Sequence, residues 1–364
     1  MGKLELEAIS KEFKTGKVLD RISLGVEDGE IVAVFGPSGS GKTLLLRLVA
    51  GVEQPDEGRI LLAGRDITED SPEARGVGMA FQNFALFPHM SAFDNVASAL
   101  TARRTPRNVI RAKVEKVAAL LKISHVLGHA PRELSNGQKQ RTALARALVA
   151  EPQILLLDDP LRNVDAKLRY EMRLELPSLL KASGSTVLYV TQDYKEAMAI
   201  GDRIAVLSDR EFTQIARPAE IYGKPATMSV ARLFGDPTIN LIPVAPLASP
   251  TGTTIGVGGA LLSLPPGFAH LAGKACVLGL RAETIAVEDT SSAQSFPVEV
   301  VAATPLNEKT LLLLRTDDGR EILASEPGTE EAPRRHGPAF ARFDPGAALL
   351  FESASGRRVA PQTA

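Results

Sequence analysis

The chain has 364 residues, of which 44% are hydrophobic and 23% are charged, a composition typical of a globular protein with about two or three domains. Its formal net charge of −1 argues against a general nucleic-acid-binding protein, because such proteins carry an excess of basic residues. The single cysteine, Cys276, excludes a disulfide framework and a cysteine-built zinc site, and it favours a reducing, cytoplasmic setting.

The sequence shows no signal for membrane insertion or export. No apolar run approaches the roughly 18 residues that a membrane-spanning helix needs. The N-terminus reads MGKLELEAIS, with charges throughout and no apolar segment of signal-peptide length. We therefore expect a chain that is neither inserted in a membrane nor exported, and that acts at a membrane only as a peripheral subunit.

Residues 1–235 alternate short apolar runs with helical patterns, which predicts an α/β domain. The run IVAVF at Ile31–Phe35 predicts a buried strand that leads directly into a glycine-rich loop. The other elements predicted for this region are helices over 43–50, 108–121 and 136–150 and strands over 154–157 and 186–190.

The pattern changes after Phe234. Residues 235–250 are rich in proline and small residues, which is typical of a linker. Short β-type segments follow, and the clearest of them cover 276–287, 296–301 and 309–324. Asp317, Asp318 and Gly319 predict a hairpin turn within the last segment. Residues 236–364 are therefore predicted to form a small all-β barrel or sandwich domain.

The loop after the first buried strand reads GPSGSGKT and fits the phosphate-loop pattern G-x-x-x-x-G-K-[ST]. It lies between a predicted strand and a predicted helix, where backbone N–H groups and the helix N-terminus attract phosphate oxygens. We expect Lys42 to pair with the β- and γ-phosphates of ATP and the Thr43 hydroxyl to ligate Mg²⁺. The predicted nucleotide-binding residues of the loop are Gly36, Pro37, Ser38, Gly39, Ser40, Gly41, Lys42 and Thr43.

A second nucleotide-site signal follows the apolar strand predicted over 154–157. That strand runs directly into Asp158 and Asp159. A carboxylate at the end of a buried strand is the Walker-B arrangement, in which Asp158 holds the Mg²⁺ shell. Together with the phosphate loop, this pair predicts an ATP–Mg²⁺ site.

Residues 134–141 read LSNGQKQR and closely resemble the signature motif of ATP-binding cassette (ABC) proteins, usually LSGGQxQR. The resemblance implies that Ser135, Gly137 and Gln138 contact the nucleotide held by an opposite subunit. Gln82, in MAFQNFALFPHM, resembles the Q-loop glutamine of the family, which links Mg²⁺ to the surface facing the membrane subunits. Phe13 resembles the aromatic residue that stacks on adenine.

These motifs, with a D-loop-like Asn163-Val164-Asp165, occur in the order and spacing of the family over residues 3–235. The fold implied is a P-loop ABC ATPase domain over 1–235 with a helical subdomain. Residues 85–96 and 220–240 are similar to sugar-importer ATPases of the maltose and glycerol-3-phosphate type. Residues 279–285 and 348–359 resemble parts of their C-terminal OB-like (TOBE-type) regulatory domain, which implies such a domain over 236–364.

This resemblance implies an ATP-hydrolysing subunit of an importer for a carbohydrate or polyol, including glycerol phosphate. It would lie peripherally on the cytoplasmic face of the cell membrane. The partners implied are a second ATPase subunit (a copy or a sister chain), two transmembrane permease subunits and, indirectly, an extracytoplasmic solute-binding protein. The permease would dock on the groove around residues 82–95, which is rich in Phe84, Leu86, Phe87 and Met90. Nucleic acid is not an expected partner.

The chain departs from the family pattern at two chemically important positions. Asp159 stands where the family has a glutamate that acts as general base or positions water, and its side chain is one methylene shorter. Gln192 stands where the family has a switch histidine, and an amide can donate a hydrogen bond but carries no charge. We therefore expect reduced activity at the site built on this phosphate loop. Asn136 replaces a signature glycine, a milder change because asparagine tolerates unusual backbone angles.

These departures leave alternatives open. One is a catalytically degenerate, ATP-binding structural or regulatory subunit paired with an active sister ATPase in a heterodimer. Asp159 and Gln192 favour it, whereas Ser135 and Gly137 serve the site of the partner. Another is an ABC protein of translation or DNA repair, but such proteins usually carry two cassettes or a large insertion.

Overall fold

The computed structural model describes residues 3–250, 252–292, 294–306, 308–328 and 336–362. The chain divides into two compact units, Met1–Ala219 and Glu220–Ala364. This division precedes the boundary after residue 235 that the sequence patterns favour, and the domain ranges 1–235 and 236–364 remain a prediction.

The first unit is an α/β structure. Its strands are β1 (Leu4–Phe13), β2 (Gly16–Val26), β3 (Ile31–Phe35), β4 (Glu57–Leu62), β5 (Arg65–Asp66), β6 (Val77–Ala80), β7 (Ile154–Asp158), β8 (Thr186–Thr191), β9 (Arg203–Ser208) and β10 (Glu211–Ala216). Its helices are α1 (Lys42–Ala50), α2 (Ala92–Ala102), α3 (Arg107–Leu120), α4 (Asn136–Leu148), α5 (Ala166–Ser183) and α6 (Tyr194–Ile200). Two more helices, α7 (Pro218–Gly223) and α8 (Met228–Leu233), follow β10, and α8 and most of α7 belong to the second unit.

A six-stranded sheet with the order β10-β9-β3-β8-β7-β6 forms the centre of this unit. The strands from β9 to β6 are parallel, and β10 is antiparallel to β9. Every residue of β3, β7 and β8 is buried, as expected for apolar parallel strands that are covered on both faces. The predicted strands 31–35, 154–157 and 186–190 are thus confirmed. A second, antiparallel sheet has the order β2-β1-β4-β5.

The helical subdomain implied by the family resemblance is present. Apolar side chains of α2, α3 and α4 share one buried cluster with β7 and β8, including Val96, Leu100, Val114 and Leu144. The predicted helices 43–50, 108–121 and 136–150 correspond to α1, α3 and α4, with ends that differ by one or two residues. Helix ends are the least reliable part of a sequence prediction because the terminal turns lack half of their backbone hydrogen bonds.

Arg75 anchors the C-terminal end of α1, the helix that begins in the phosphate loop. Its buried guanidinium donates hydrogen bonds to the carbonyl oxygens of Leu48 (2.6 Å), Val49 (3.0 Å), Thr68 (2.5 Å) and Asp70 (3.0 Å). The last carbonyls of α1 thereby gain partners inside the protein. Sequence patterns do not reveal this contact, because Arg75 lies more than twenty residues from the helix that it caps.

The second unit is built from antiparallel strands. These are β11 (Asn240–Val244), β12 (Leu247–Ser249), β13 (Gly252–Val257), β14 (Ala260–Ser263), β15 (Cys276–Leu280), β16 (Ile285–Glu288), β17 (Ser295–Leu306), β18 (Lys309–Thr316), β19 (Glu321–Pro327), β20 (Gly337–Phe343), β21 (Leu349–Glu352) and β22 (Arg358–Val359). They form sheets with the orders β11-β15-β21-β22, β12-β13-β14 and β16-β20-β17-β18-β19. The predicted all-β domain and the hairpin turn at 317–319 are confirmed.

Two predictions for this region need correction. The segment 235–250 is not wholly a linker, because β11 and β12 lie within it; Pro243 fits there since β11 is an edge strand, where a missing N–H is tolerated. The segment 276–287 is not one strand. A 3₁₀ turn at Ala282–Thr284 separates β15 from β16, next to Arg281, whose buried guanidinium donates to the carbonyl oxygen of Tyr222 (2.8 Å).

Among the described residues, no helix combines the length and the apolar character needed to cross a bilayer.

Candidate functional site

Three neighbouring strands of the central sheet end at the same edge and bring the predicted site residues together. The parallel register pairs Phe35 of β3 with Thr191 of β8, and Val190 of β8 with Asp158 of β7. The loops that follow these strands therefore start side by side: the phosphate loop after β3, Gln192 after β8, and Asp159 after β7. In α/β sheets, ligands bind outside the carboxyl ends of the strands, as this arrangement predicts.

Hydrogen bonds from the Lys42 side chain stabilise the conformation of the phosphate loop. Lys42 is only 8% exposed, and its ammonium donates to the carbonyl oxygens of Gly36 (2.8 Å) and Pro37 (2.7 Å). Burial lowers the pKa of Lys42, while Asp159 and Asp158 act in the opposite direction. Gly41 caps α1 with φ +98°, a left-handed conformation that favours glycine. The loop thus presents a buried cation at a helix N-terminus, which is a site for phosphate.

Gly36 is the glycine of this loop that packing requires. A Cβ atom there would lie 2.1 Å from the backbone carbonyl oxygen of Leu207 in β9. We expect Gly36→Ala to displace the loop, to lower stability by about 1–3 kcal/mol and to weaken nucleotide binding about tenfold or more. Thermal unfolding and titration with a fluorescent ATP analogue measure the two effects.

Gly29→Ala is the matched control for this substitution. Gly29 lies outside the cavity and has φ +69°, but nothing lies within 4 Å of its added Cβ. Backbone strain of about 1 kcal/mol is then the main expected effect. Equal losses in the two variants would contradict the packing argument.

Thr43 and Asp158 form the part of the site suited to Mg²⁺. The Thr43 hydroxyl donates to Asp158 Oδ1 at 2.9 Å, so the two predicted ligands already lie side by side. Burial raises the pKa of Asp158, and the Thr43 hydrogen bond and the charges of Arg47 and Lys42 partly offset this. Within the described part of the chain, no group of three or more His, Cys, Asp or Glu could hold a metal. A hydroxyl, one carboxylate and phosphate oxygens are the oxygen ligands that Mg²⁺ uses in such sites.

A cavity of about 250 Å³ lies at this edge of the sheet. It collects most of the residues predicted for the site of this chain and adds three that the sequence did not indicate. The predicted residues that line it are Ser38, Gly39, Gly41, Lys42, Thr43, Gln82, Asp158, Asp159 and Gln192. The additional residues are Leu44, Arg162 and Val190. The cavity wall does not include Phe13, Gly36, Pro37, Ser40, Ser135, Gly137 or Gln138.

Asp159 is a carboxylate held in an unusual backbone conformation. Its φ is +44°, and its N–H donates to the carbonyl oxygen of Val190 at 2.8 Å. Arg162 Nη1 lies 3.7 Å from Asp159 Oδ2. Burial raises the pKa of Asp159, and Arg162 works against this rise. A buried carboxyl with a raised pKa at the wall of a phosphate-binding cavity is suited to accept a proton.

The loop that carries Gln82 is tied to the loop that follows β7. The Asn163 amide donates to the Gln82 carbonyl oxygen at 2.9 Å, while the Gln82 side chain lines the cavity. The D-loop-like segment and the Q-loop-like segment are therefore neighbours in the fold, although 81 residues separate them in sequence.

The signature-like motif forms the N-terminus of α4. Ser135 is the N-cap: its hydroxyl accepts from the Gln138 N–H at 3.3 Å, and Gln138 Oε1 accepts from the Ser135 N–H at 2.9 Å. Gly137 is buried, and an added Cβ would lie 2.4 Å from Leu168 Cδ2. Asn136 is an ordinary first-turn residue of α4 without a positive φ. The backbone at this position therefore does not require glycine, which agrees with the expectation that Asn136 is a mild change.

Phe13 ends β1 and is 43% exposed. The Lys11 ammonium lies 5.6 Å from the centre of its ring. Exposure leaves the ring accessible for stacking, as the family resemblance implies.

Glu196 is a buried acid that the sequence analysis did not single out. Its Oε2 accepts from the Tyr189 hydroxyl (2.9 Å) and the Thr191 hydroxyl (2.9 Å), and Thr191 Oγ1 accepts in turn from the Asp193 N–H (3.0 Å). Burial raises the pKa of Glu196 to about 7. This network fixes both ends of the turn that presents Gln192. In the sequence, the only indication of this role was an acidic residue four positions after Gln192.

Comparisons with known proteins also indicate an ABC ATPase domain followed by a TOBE domain. The ABC transporter family model matches residues 19–162, and the TOBE domain model matches residues 278–351. The chain is 43% identical to the sn-glycerol-3-phosphate import ATP-binding protein UgpC of Chromohalobacter salexigens, over 86% of this chain and 85% of that protein. It is 38% identical to the UgpC of Yersinia pseudotuberculosis, over 99% of this chain and 100% of that protein.

Among solved structures, cbiO1 from Clostridium perfringens, described as part of the ABC transporter complex cbiONQ, is 27% identical. Its TM-score is 0.57, over 60% of this chain and 90% of that one. The comparisons do not bear out the reduced activity expected from Asp159 and Gln192, since the curated relatives are described as import ATP-binding proteins.

Proposed function

Because this chain belongs to the ATP-binding proteins of the ABC transporter family, we propose that it energises the import of sn-glycerol 3-phosphate. It is an importer ATPase that uses ATP with Mg²⁺ and works in a complex with permease subunits. The observation that carries the proposal is one edge of the sheet where Lys42, the Thr43–Asp158 pair and Asp159 line a common cavity. The solute is inferred from the printed names of relatives that the chain covers along nearly its full length.

The side chains of the cavity divide into binding and reacting groups. Lys42 and the backbone N–H groups of 36–43 bind the β- and γ-phosphates. Thr43, Asp158 and Gln82 hold Mg²⁺, which when bound neutralises charge on the phosphate oxygens. Asp159 orients the attacking water and accepts its proton, and the Gln192 amide donates a hydrogen bond to the γ-phosphate. Phe13 stacks on adenine.

The residues at the start of α4 serve the site of a second subunit. Ser135, Gly137 and Gln138 contact the γ-phosphate of a nucleotide held by that subunit, which is a copy of this chain or a sister ATPase. ATP then bridges the two subunits and favours a closed dimer, and hydrolysis removes those contacts. This assignment is consistent with the finding that these residues do not line the cavity of their own chain.

The permease subunits dock on the surface around residues 82–95 at the cytoplasmic face of the membrane, and an extracytoplasmic binding protein delivers the solute to them. Phe81 and Phe87 are each 42% exposed on this surface, and exposed apolar side chains of this kind mark partner sites.

The proposal is tested with the assembled transporter in lipid vesicles. We expect ATP-dependent uptake of radiolabelled sn-glycerol 3-phosphate in the presence of the binding protein, and no uptake of maltose above background. The Lys42→Ala complex is the control for ATP dependence. Uptake of maltose without uptake of sn-glycerol 3-phosphate would overturn the assignment of the solute but not that of the ATPase.

A further inference from the structure

Arg146 connects the signature-like helix α4 to the segment that follows Gln82. It lies eleven residues beyond the N-cap Ser135, about 16 Å along the helix axis. Its Nη1 donates to the Ala85 carbonyl oxygen at 2.6 Å, and its Nη2 donates to the Phe84 carbonyl oxygen at 3.0 Å. One guanidinium thus binds two consecutive carbonyls of a loop 61 and 62 residues away in sequence.

The two residues that Arg146 holds are in a strained conformation. Phe84 has φ +61° and Ala85 has φ +49°, and neither is glycine. A left-handed residue with a Cβ costs about 1–2 kcal/mol, so consecutive ones persist only where surrounding contacts stabilise them. A planar guanidinium with parallel donors suits two adjacent carbonyls, whereas the ammonium of lysine is a single point charge.

The electrostatic surroundings of Arg146 suit hydrogen bonds to backbone carbonyls rather than an ion pair with an acidic side chain. Burial lowers its pKa, and no carboxylate contributes to that shift. In the described ranges of the chain, Arg146 forms no ion pair, and its guanidinium lies 5.6 Å from the ring centre of Phe87. The same side chain therefore holds the Phe84–Ala85 corner and contacts the exposed ring that follows it.

Elements other than α4 hold the two ends of the segment 82–90. Asn163 binds the Gln82 carbonyl at one end. At the other end the fully buried Asn95 of α2 accepts from the Phe87 N–H (2.7 Å) and donates to the Met90 carbonyl (3.2 Å). Of the contacts described here that hold this segment, those made by Arg146 come from the signature-like helix α4.

We propose that Arg146 is a positioning residue that couples α4 to the permease-facing segment 82–90. Through its two hydrogen bonds, a displacement of α4 that accompanies nucleotide contacts at Ser135 reaches the Phe84–Ala85 corner and the Phe87 ring. The inference rests on the proposed function for the identity of the surface, but the contact itself does not depend on which solute is transported. Arg146 lies outside the nucleotide cavity and acts through the segment that it holds.

The test compares Arg146→Gln and Arg146→Lys with Arg111→Lys. Arg111 lies on α3, its side chain is 76% exposed, and it pairs with Glu115 (3.3 Å) instead of holding the segment 82–90. We expect both Arg146 variants to raise the ATP hydrolysed per solute transported about fivefold or more, while Arg111→Lys stays near the wild-type ratio. In the isolated chain their ATPase rates change by less than about twofold, and amide exchange at residues 84–87 accelerates about tenfold.

Ala85→Gly provides the rescue, because glycine adopts the left-handed conformation without strain. We expect the double variant Arg146→Gln/Ala85→Gly to recover part of the coupling and of the amide protection. The proposal is overturned if coupling and exchange remain at wild-type values, if the isolated ATPase falls by the same factor as transport, or if the rescue restores neither. Failure of the wild-type complex to transport sn-glycerol 3-phosphate would reject the proposed solute, and the exchange measurement would still decide the role of Arg146.

Discussion

Replacing Lys42 by alanine is expected to reduce ATP hydrolysis about a hundredfold or more and to abolish ATP-dependent uptake. The Lys42 ammonium is the buried cation of the cavity, and it is held at the phosphate loop by the carbonyls of Gly36 and Pro37. A preorganised charge of this kind stabilises the charge that develops on a transferred phosphoryl group, and the loss of one such donor costs about 10²–10³ in rate. A coupled phosphate-release assay on the purified chain and on the assembled transporter measures the effect.

Lys116→Ala is the matched control for Lys42→Ala. The Lys116 side chain is 81% exposed on α3, so its removal does not alter the ATP site. Thermal unfolding of both variants separates loss of chemistry from loss of fold. Hydrolysis by Lys42→Ala within about tenfold of wild type would contradict the role of the cation.

Asp159→Asn is expected to lower turnover about a hundredfold while ATP binding stays within about threefold of wild type. The substitution keeps the shape of the side chain but removes its ability to accept a proton. Asp159 lies on the cavity wall with Lys42 and Gln192, its side chain is 11% exposed, and Arg162 Nη1 lies 3.7 Å from its Oδ2. Single-turnover hydrolysis and equilibrium binding of an ATP analogue separate the two quantities.

The pH dependence of turnover provides a second test of Asp159. Burial raises its pKa above the ordinary value, so the carboxyl takes up a proton at a higher pH than an exposed aspartate does. Because only the ionised form accepts a proton, wild-type turnover should fall as the pH is lowered through this raised pKa. The residual turnover of Asp159→Asn should lack this fall.

The control for this series is Asp209→Asn, since Asp209 is also an aspartate with positive φ (+52°) but is exposed on the turn between β9 and β10. We expect it to leave turnover and the pH profile unchanged. If Asp159→Asn retained wild-type turnover, another group would have to accept the proton, and the role assigned to Asp159 would be rejected.

The contiguous motifs were predictable from the sequence because their geometry is largely local. The glycines, Lys42 and Thr43 lie on one short loop between a strand and a helix, so the spacing alone places them near each other. The fully buried strands β3, β7 and β8 were visible as short apolar runs, and the hairpin turn at 317–319 was visible from its turn residues. The prediction that 235–250 is a linker was partly wrong, because an edge strand such as β11 tolerates proline.

By itself, the sequence determined the fold class, the phosphate loop, the Walker-B acids and the family, since each depends on residue types at fixed spacing. Only the tertiary structure decided which distant residues meet them. The strand order β3-β8-β7 places Gln192 between the phosphate loop and Asp159, and packing brings Arg162 to Asp159, Asn163 to Gln82 and Arg146 to Phe84 and Ala85. Local periodicity records which face of an element is buried, but it carries no information about which elements become neighbours, and the hydrogen bonds across those neighbours depend on that choice.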